Sequence, residues 1–326
     1  MGISACMIVR DEERLLARCL QSFRGAFDEL NIVDTGSKDG TVAVAAQFGA
    51  RLRSFTACNG EDGRIRDFAL ARNVSLDLAT QEWLLWMDAD DVLQPGGAER
   101  FRAAAARGGF AALNVTIQWD AHTWLQRRLL RNDPRNRFIG RIHEYPDAHG
   151  AIEDDREIRV LHLPDKRGKE PSVDRNLRIG ELEAREDPTN LHNLFYLGNS
   201  LRLAGRFDQA ILRYLQYLAL GGAFRAEKQL AAFFLAECHF RMGRWQECID
   251  AAYRALRIDP RYAETYCLIA DCYGELGEFD FARQWYRGAI ACVAPPADTI
   301  LFVEPAKYGE YPRRGIEICE ERLRGG

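Results

Sequence analysis

The chain has 326 residues, with 44 Lys and Arg against 48 Asp and Glu, and its formal net charge is −4. This near balance excludes a strong overall attraction to nucleic acid or anionic membranes, and the length allows two domains. The sequence has no run of 18 apolar residues and no signal-peptide pattern at its start, so it predicts no transmembrane helix and no signal peptide. Nine cysteines without a CxxC pair favour reduced, buried thiols in a cytoplasmic protein.

Through about residue 165, short apolar runs alternate with segments of helical periodicity. The predicted strands are residues 3–9, 30–33 and 83–87, and the predicted helices are 11–27, 41–48 and 66–78. This alternation predicts a Rossmann-like α/β domain with a mostly parallel sheet and helices on its faces. Ligands bind at the carboxyl ends of the strands in such sheets. Polar residues follow three of these strands, and the sequence therefore predicts a ligand site at that edge.

The end of the third strand carries the most acidic of these segments. Five large apolar residues, WLLWM, are followed by Asp88, Asp90 and Asp91. Such a strand is typically buried on both faces. Carboxylates at its end are costly to bury unless a cation or hydrogen-bond donors meet them. Aspartates after a strand also serve as turn residues and caps, so the triplet alone leaves both interpretations open.

The second half of the chain contains a repeat. The segments AGRFDQAILRYLQYL, MGRWQECIDAAYRAL and LGEFDFARQWYRGAI begin at residues 204, 242 and 276, and their glycines are 38 and 34 residues apart. Each glycine precedes an aromatic residue by two positions and a small residue by five. A period of about 34 residues with helix–turn–helix patterning is typical of tetratricopeptide repeats, and three units are about the minimum for a stable stack.

The change of periodicity predicts the domain organisation. We expect residues 1–170 to form the α/β domain, residues 171–188 a connecting helix, and residues 189–326 an all-α domain of three repeats. The connecting helix is predicted because Pro171 and Ser172 mark a helix start and apolar residues follow at helical spacing.

Four motifs of the first half, in this order and spacing, resemble an inverting family 2 glycosyltransferase of the GT-A fold: ACMIVRDEERLLARCLQSF, ELNIVDTGSKDGT, DFALARN and WLLWMDADD. They cover about residues 3–95, and the repeats behind them resemble the subgroup with a tetratricopeptide segment after the transferase domain. The resemblance implies a hexosyltransferase that uses a nucleotide-sugar, with a UDP-sugar favoured, and Mn²⁺ or Mg²⁺. The acceptors it implies are a peptide or protein, a glycan, a lipid-linked intermediate or a modified DNA base.

The resemblance assigns Asp88-Ala89-Asp90 to the DxD element, which holds the cation beside the donor diphosphate. A hard cation on carboxylates acts as a Lewis acid and neutralises the departing diphosphate. By analogy with the family, Asp90 ligates the metal, while Asp88 faces the ribose or the metal's water. His162 follows a strand-like run and resembles the family's late histidine ligand, and His143 is the other candidate.

The resemblance also predicts a nucleotide site. Asp34 matches the carboxylate that GT-A enzymes place on the uracil ring nitrogen, although an Asx turn explains the same residue. Arg72 would either face the nucleotide or form a surface ion pair. The family more often has Lys-Asn-Glu where this chain has Arg10, Asp11 and Glu12, and Asp11 also suits a helix cap. The predicted set comprises Val9, Arg10, Asp11, Glu12, Asp34, Thr35, Ser37, Arg72, Asn73 and Asp88.

An inverting reaction requires a base that deprotonates the acceptor as it attacks the anomeric carbon. The pair His143-Glu144 resembles the acceptor region of related transferases, which makes Glu144 the first choice and Asp91 and Asp120 its rivals. The alternative function is a decayed transferase domain whose repeats act as a scaffold for protein partners. The intact aspartate motifs argue against that alternative. A nucleotidyltransferase is disfavoured because residues 3–12 have no glycine-rich phosphate loop.

Two features bear on partners. Residues 127–141 contain six arginines, which either pair with local acids or form a docking surface for an anionic acceptor such as a glycan phosphate, a lipid-linked intermediate or DNA. The repeats are expected to recruit or orient the acceptor, or to form a homodimer through outer apolar residues such as Phe281 and Trp285.

Overall fold

A computed structural model describes residues 1–120, 122–165, 167–220, 224–296 and 303–325. The chain divides into two compact units, Met1–Pro171 and Ser172–Gly326. The helix predicted to connect the domains is present as Ser172–Glu186 and falls within the second unit. The three-part division of the chain stays a prediction. Among the described helices, none is both long enough and apolar enough to cross a membrane.

The first unit is an α/β fold, as predicted. Its strands are β1 (Ile3–Val9), β2 (Glu29–Asp34), β3 (Arg51–Ser54), β4 (Trp83–Met87), β5 (Asp91–Leu93), β6 (Ala112–Trp119), β7 (His122–Arg131), β8 (Arg137–Ile139), β9 (Tyr145–Asp147) and β10 (Ile152–His162), and its helices are α1 (Glu13–Ser22), α2 (Thr41–Gln47), α3 (Phe68–Asp77) and α4 (Gly97–Arg107). Eight strands form one sheet in the order β3-β2-β1-β4-β7-β6-β10-β5, and β8 pairs with β9. Strands β1 to β4 are mutually parallel where they pair, β6 is parallel to β10, and β7 and β5 are antiparallel to their neighbours.

Strands β1 and β4 lie at the centre of the sheet because both are apolar on both faces. All five side chains of β4 are buried, and six of the seven in β1 are. The register sets Val9 beside Asp34 and Met7 beside Met87. The carboxyl ends of β1, β2 and β4 therefore share one edge, so that the acidic turn after β4 lies at the same edge as the ends of β1 and β2.

The second unit is all-α, as predicted. Its helices are α5 (Ser172–Glu186), α6 (Leu191–Leu203), α7 (Phe207–Ala219), α8 (Arg225–Arg241), α9 (Trp245–Ile258), α10 (Ala263–Glu275), α11 (Phe279–Ala291) and α12 (Glu310–Gly325), with a 3-10 helix at Pro305–Tyr308. Helices α6 to α11 form three consecutive antiparallel pairs, and each pair turns at one of the repeat glycines, Gly205, Gly243 and Gly277. These glycines have φ of 73°, 70° and 78°, a region that a side chain disfavours.

The small residues of the repeat are packing points between helices. Ala210, Cys248 and Ala282 are all fully buried. The two aromatic residues that were predicted to form a homodimer contact differ in their surroundings. Phe281 is exposed, whereas Trp285 is partly buried and packs against the core of the repeats. Trp285 is therefore a core residue rather than an outer one, because its ring contacts those of Tyr253 and Tyr266.

Candidate active site

The acidic turn after β4 is closed by one of its own aspartates. The Asp91 side chain is fully buried, and its Oδ2 accepts a hydrogen bond from the Asp88 backbone N–H at 2.9 Å. The Leu163 N–H donates to the Asp90 carbonyl at 2.9 Å, and β5 pairs with β10 so that Asp91 lies beside His162. The turn is thus fastened to the end of β10. A residue from late in the domain is thereby brought to the aspartates.

Asp90, Asp91 and His162 form a cluster suited to a metal ion. One ligand atom from each of the three lies within 4.8 Å of the other two. His162 Nδ1 is 3.2 Å from Asp91 Oδ1 and 3.5 Å from Asp90 Oδ1. Two carboxylate oxygens and an imidazole nitrogen form a ligand set that a divalent cation can bind. The cluster includes the predicted ligands Asp90 and His162, and it has Asp91 where the sequence suggested Asp88.

Asp88 differs from Asp90 because its carboxylate forms an ion pair with an arginine. Arg72 Nη2 is 2.7 Å from Asp88 Oδ1, and the second oxygen is 3.7 Å from Arg128 Nη2. Burial opposes ionisation of Asp88, but the two guanidiniums lower its pKa to about 2. Burial and the charge of Asp88 raise the pKa of Asp90 to about 6. Asp90, which the family resemblance assigns to the metal, is therefore also the carboxylate whose ionised form a cation would stabilise more than that of Asp88.

Arg72 joins Asp88 to the predicted base. Its Nε is 2.6 Å from Glu144 Oε1, and the Glu144 side chain is only 10% exposed. Helix α3 supplies Arg72, and Asp67 caps that helix by accepting the Leu70 N–H. Burial raises the pKa of Glu144 against the opposing charge of Arg72. The contact of Arg72 with a nucleotide stays a prediction, since the structure gives this guanidinium two carboxylates of the protein.

The ends of β1 and β2 are tied to one another by side chains. Asp34 Oδ2 accepts the Gly36 N–H at 3.3 Å, which is the predicted Asx turn, and the Ser37 N–H donates to the two Asp34 oxygens at 3.1 and 3.3 Å. The Ser37 hydroxyl accepts the Asp11 N–H at 3.0 Å, and Asp11 has a φ of 53°. Thr35 is buried and its hydroxyl donates to the Val9 carbonyl. This tie orders the loop in which the uracil contact of Asp34 is predicted.

The remaining members of the predicted nucleotide set have protein partners. Arg10 Nη1 donates to the Gly63 carbonyl at 2.7 Å. Glu12 accepts from Lys169 at 2.5 Å, and Val9 lies in the core of the sheet. The Asn73 amide exchanges hydrogen bonds with the backbone of Phe138, at 2.9 and 2.8 Å, and so fastens α3 to β8.

The other candidates for base and ligand differ in their exposure. Asp120 is exposed at a φ of 53° after the end of β6, and His143 is exposed at a φ of 53° next to Glu144. Asp91, the second rival, is fully buried in the turn. Glu144 stays the predicted base among the three.

The arginines of residues 127–141 are engaged within the protein. Arg127 donates to the Pro146 carbonyl, and the other five lie within 4.0 Å of carboxylates. These acids are Asp91 for Arg128, Glu82 for Arg131, Asp133 for Arg135, Asp77 for Arg137 and Asp67 for Arg141. This arrangement is the one expected of arginines that pair with local acids. An anionic acceptor at this segment is not shown.

Sequence reasoning missed two residues of this site. Arg128 was counted only as one of six arginines, although its place beside Leu129 and Leu130 in a strand was a signal of burial. Lys169 lies close to Glu12 and contributes a positive charge near Asp90. A single lysine beyond the last strand carries no pattern that singles it out.

An α/β domain with an acidic turn and a histidine at the carboxyl edge of its sheet belongs to the class that binds ligands at this edge. Residues 4–160 match the model of glycosyl transferase family 2, and residues 228–293 match a tetratricopeptide repeat model. Most of the first unit therefore matches the family 2 glycosyltransferase model, and tetratricopeptide repeats follow it along the chain. The resemblance predicted from the four motifs is confirmed.

Curated relatives agree with this assignment. The prophage-derived glycosyltransferase SunS of Bacillus subtilis is 25% identical over 227 residues, which is 64% of this chain and 51% of that protein. A tetratricopeptide repeat-containing protein of Synechococcus elongatus is 37% identical over 149 residues, which is 44% of this chain and 35% of that protein. The chain thus spans about half or less of the length of these relatives.

Two solved structures are similar to part of this chain. The crystal structure of MamA is 20% identical, with a TM-score of 0.35, over 47% of this chain and 90% of that chain. The tetratricopeptide domain of Sgt2 from Aspergillus fumigatus has a TM-score of 0.33 at 17% identity, over 41% of this chain and 79% of that chain. The helix pairs of the second unit themselves define its fold as tetratricopeptide-like.

Proposed function

We propose that this chain is a metal-dependent, inverting glycosyltransferase that moves a sugar from a UDP-sugar to an acceptor. The observation that carries the proposal is the convergence of Asp90, Asp91 and His162 beside Asp88 at the carboxyl edge of a family 2 domain. A decayed domain that serves only as a scaffold is not favoured, because the acidic turn, its histidine and the arginines that balance it are all in place.

Each group of the site has a distinct part in the proposed reaction. A divalent cation bound at Asp90, Asp91 and His162 would act as a Lewis acid toward the departing diphosphate. Asp88, kept ionised by Arg72, accepts hydrogen bonds from the ribose or from water. Asp34 accepts the ring N–H of uracil, a donor that the rings of adenine and cytosine lack.

Glu144 is the proposed base. The attacking atom of the acceptor forms a bond to the anomeric carbon while the bond from that carbon to the diphosphate oxygen breaks. The acceptor proton passes to the Glu144 carboxylate, and inversion follows from attack on the opposite face. Arg72 keeps Glu144 fixed before the reaction, since the two are joined at 2.6 Å. A base held in place in this way contributes roughly 10² to 10⁴ in rate.

The repeats are proposed to recruit a protein or peptide acceptor. Tetratricopeptide stacks bury one hydrophobic face and present an extended surface to partners. SunS is named a glycosyltransferase, and the combination of transferase and repeats in this chain favours transfer to a recruited acceptor over transfer to a free sugar. A homodimer formed through the exposed Phe281 is the second use proposed for the repeats.

The donor is tested first, because donor hydrolysis needs no acceptor. Purified protein is incubated with a panel of UDP-, GDP- and dTDP-sugars and Mn²⁺, and release of the nucleoside diphosphate is measured. We expect a UDP-sugar to be hydrolysed, hydrolysis to stop in EDTA, and Mn²⁺ or Mg²⁺ to restore it. Undiminished hydrolysis in excess chelator would remove the metal from the proposal, and no hydrolysis of any donor by folded protein would count against the enzyme.

A further inference from the structure

Negative charge is concentrated in the acidic turn, and the buried guanidiniums of Arg72 and Arg128 balance it from inside the protein. Asp88, Asp90 and Asp91 lie within four residues, and like charges this close repel one another. Arg128 approaches the turn from β7, the strand that pairs antiparallel with β4. Its side chain is only 3% exposed. Arg128 is therefore a fixed, buried counter-charge of the turn.

The contacts of Arg128 select one oxygen of Asp91. Arg128 Nη1 is 2.8 Å from Asp91 Oδ2, the same oxygen that accepts the Asp88 N–H at 2.9 Å. The other oxygen, Oδ1, lies 3.2 Å from His162 Nδ1. The two oxygens of one carboxylate thus have separate partners. Arg128 binds Oδ2 of Asp91 and leaves Oδ1 directed at His162.

The ring of Trp86 packs against the Arg128 guanidinium. The Arg128 guanidinium carbon is 3.8 Å from the centroid of the Trp86 ring, and Nη1 is 3.5 Å from the Trp86 carbonyl. The indole N–H donates to the Arg127 carbonyl at 2.6 Å, which fixes the ring against β7. A planar guanidinium suits this position because it stacks on the indole and reaches two carboxylates at once. A lysine would supply the charge without the planar contact.

We propose that Arg128, stacked on Trp86, is a positioning residue that orients the Asp91 carboxylate and thereby places Asp90 and His162 for the cation. Arg128 bonds to the oxygen of Asp91 that faces away from His162, so it acts on the cation site through Asp91. Partners of metal ligands commonly set ligand orientation and metal affinity in this way. The cation part of this inference rests on the proposed function, whereas the ordering of the turn does not.

The test compares Arg128→Met and Arg128→Lys with Arg131→Met, all in the full chain. Arg131 lies on the same strand, is 43% exposed and pairs with Glu82 at 2.6 Å, so it controls for the loss of an arginine from β7. Two readouts are used. Hydrogen–deuterium exchange of peptides that cover residues 86–93 reports the order of the turn, and calorimetric titration with Mn²⁺ alone reports the cation site.

Arg128→Met is expected to speed exchange in the turn by at least about tenfold, because the Asp88 N–H loses a fixed acceptor. It is also expected to weaken Mn²⁺ binding by roughly 10 to 100-fold. Arg128→Lys should recover part of both, and Arg131→Met should change neither. If Arg128→Met does not fold, Arg128→Lys alone decides the proposal.

Two results would overturn the inference. The first is a folded Arg128→Met variant whose hydrogen exchange in the turn and Mn²⁺ affinity equal those of the wild type. If Arg128→Met does not fold, the same result in Arg128→Lys overturns the inference. The second is an equal loss in Arg131→Met, which would show a general effect of the strand. A wild-type protein that binds no Mn²⁺ would instead reject the cation of the proposed function, and exchange in the turn would then decide the positioning role by itself.

Discussion

Replacement of Arg72 by methionine tests the ion pairs that join the two sides of the site. The change removes the guanidinium that lies 2.7 Å from Asp88 Oδ1 and 2.6 Å from Glu144 Oε1. The Glu144 carboxylate is then buried without a positively charged partner. Loss of one partner of a buried pair costs about 3–5 kcal/mol. Asp88 is 28% exposed and keeps Arg128 at 3.7 Å, so we expect the lower end, about 3 kcal/mol.

In a domain of this size, that loss lowers the melting temperature by roughly 6–12 °C. Urea unfolding and thermal melts of Arg72→Met measure it, and transfer should fall about 10²-fold because two groups lose their positions. Arg64→Met is the control, since Arg64 pairs with Glu170 at 3.2 Å and is 58% exposed. An exposed pair contributes about 1 kcal/mol or less. A loss below about 1 kcal/mol in Arg72→Met would refute the reasoning.

Four further predictions concern the metal, the base, acidity and the repeats. Asp90→Ala should fold normally and lose Mn²⁺-dependent nucleotide binding in calorimetry, and unchanged binding would assign the metal elsewhere. Glu144→Gln should bind the donor normally while transfer falls by roughly 10² to 10⁴, and a loss below about tenfold would favour Asp120 or Asp91 as the base. Burial raises the pKa of Glu144. Because the base must be ionised, transfer should decline on acidification at a pH above that of an ordinary glutamate, about 4.3, and a rate profile that shows no such limb would contradict this. Truncation after Asp187 should leave nucleotide binding but lower transfer to the natural acceptor, and full activity of the truncated chain would exclude recruitment by the repeats.

The central strands and the repeats were accessible from sequence because each has a strong pattern. Residues 3–9 and 83–87 were predicted with the bounds that β1 and β4 have, since both are buried on two faces. The helix predicted over residues 11–27 is shorter, at Glu13–Ser22, because Asp11 takes a positive φ and the chain turns after Phe23. The repeat glycines stand out because their turns require positive φ.

The strands of the later part of the first unit were harder to predict. Strands β6 and β7 pair with each other, and β7 mixes arginines with leucines in a way that resembles a basic loop. Tertiary pairing with β4 makes this segment a strand, and that partner is more than thirty residues away along the chain. The same long-range pairing explains why the partner of Asp91 was not found. Nothing near the acidic turn in sequence indicates that Arg128 lies behind it.

The arginines explain how the turn holds its aspartates before any donor arrives. Arg72 and Arg128 are buried guanidiniums, and both stack on Trp86, at 4.6 and 3.8 Å from its centroid. They balance Asp88 and Asp91, the aspartates that shape the turn. In the described part of the chain, no arginine forms an ion pair with Asp90, and its pKa is raised to about 6 by burial and the charge of Asp88. A cation bound at Asp90 and His162 would complete the balance, as the proposed function requires. Fixed charges that need no rearrangement are what a site requires when a diphosphate leaves.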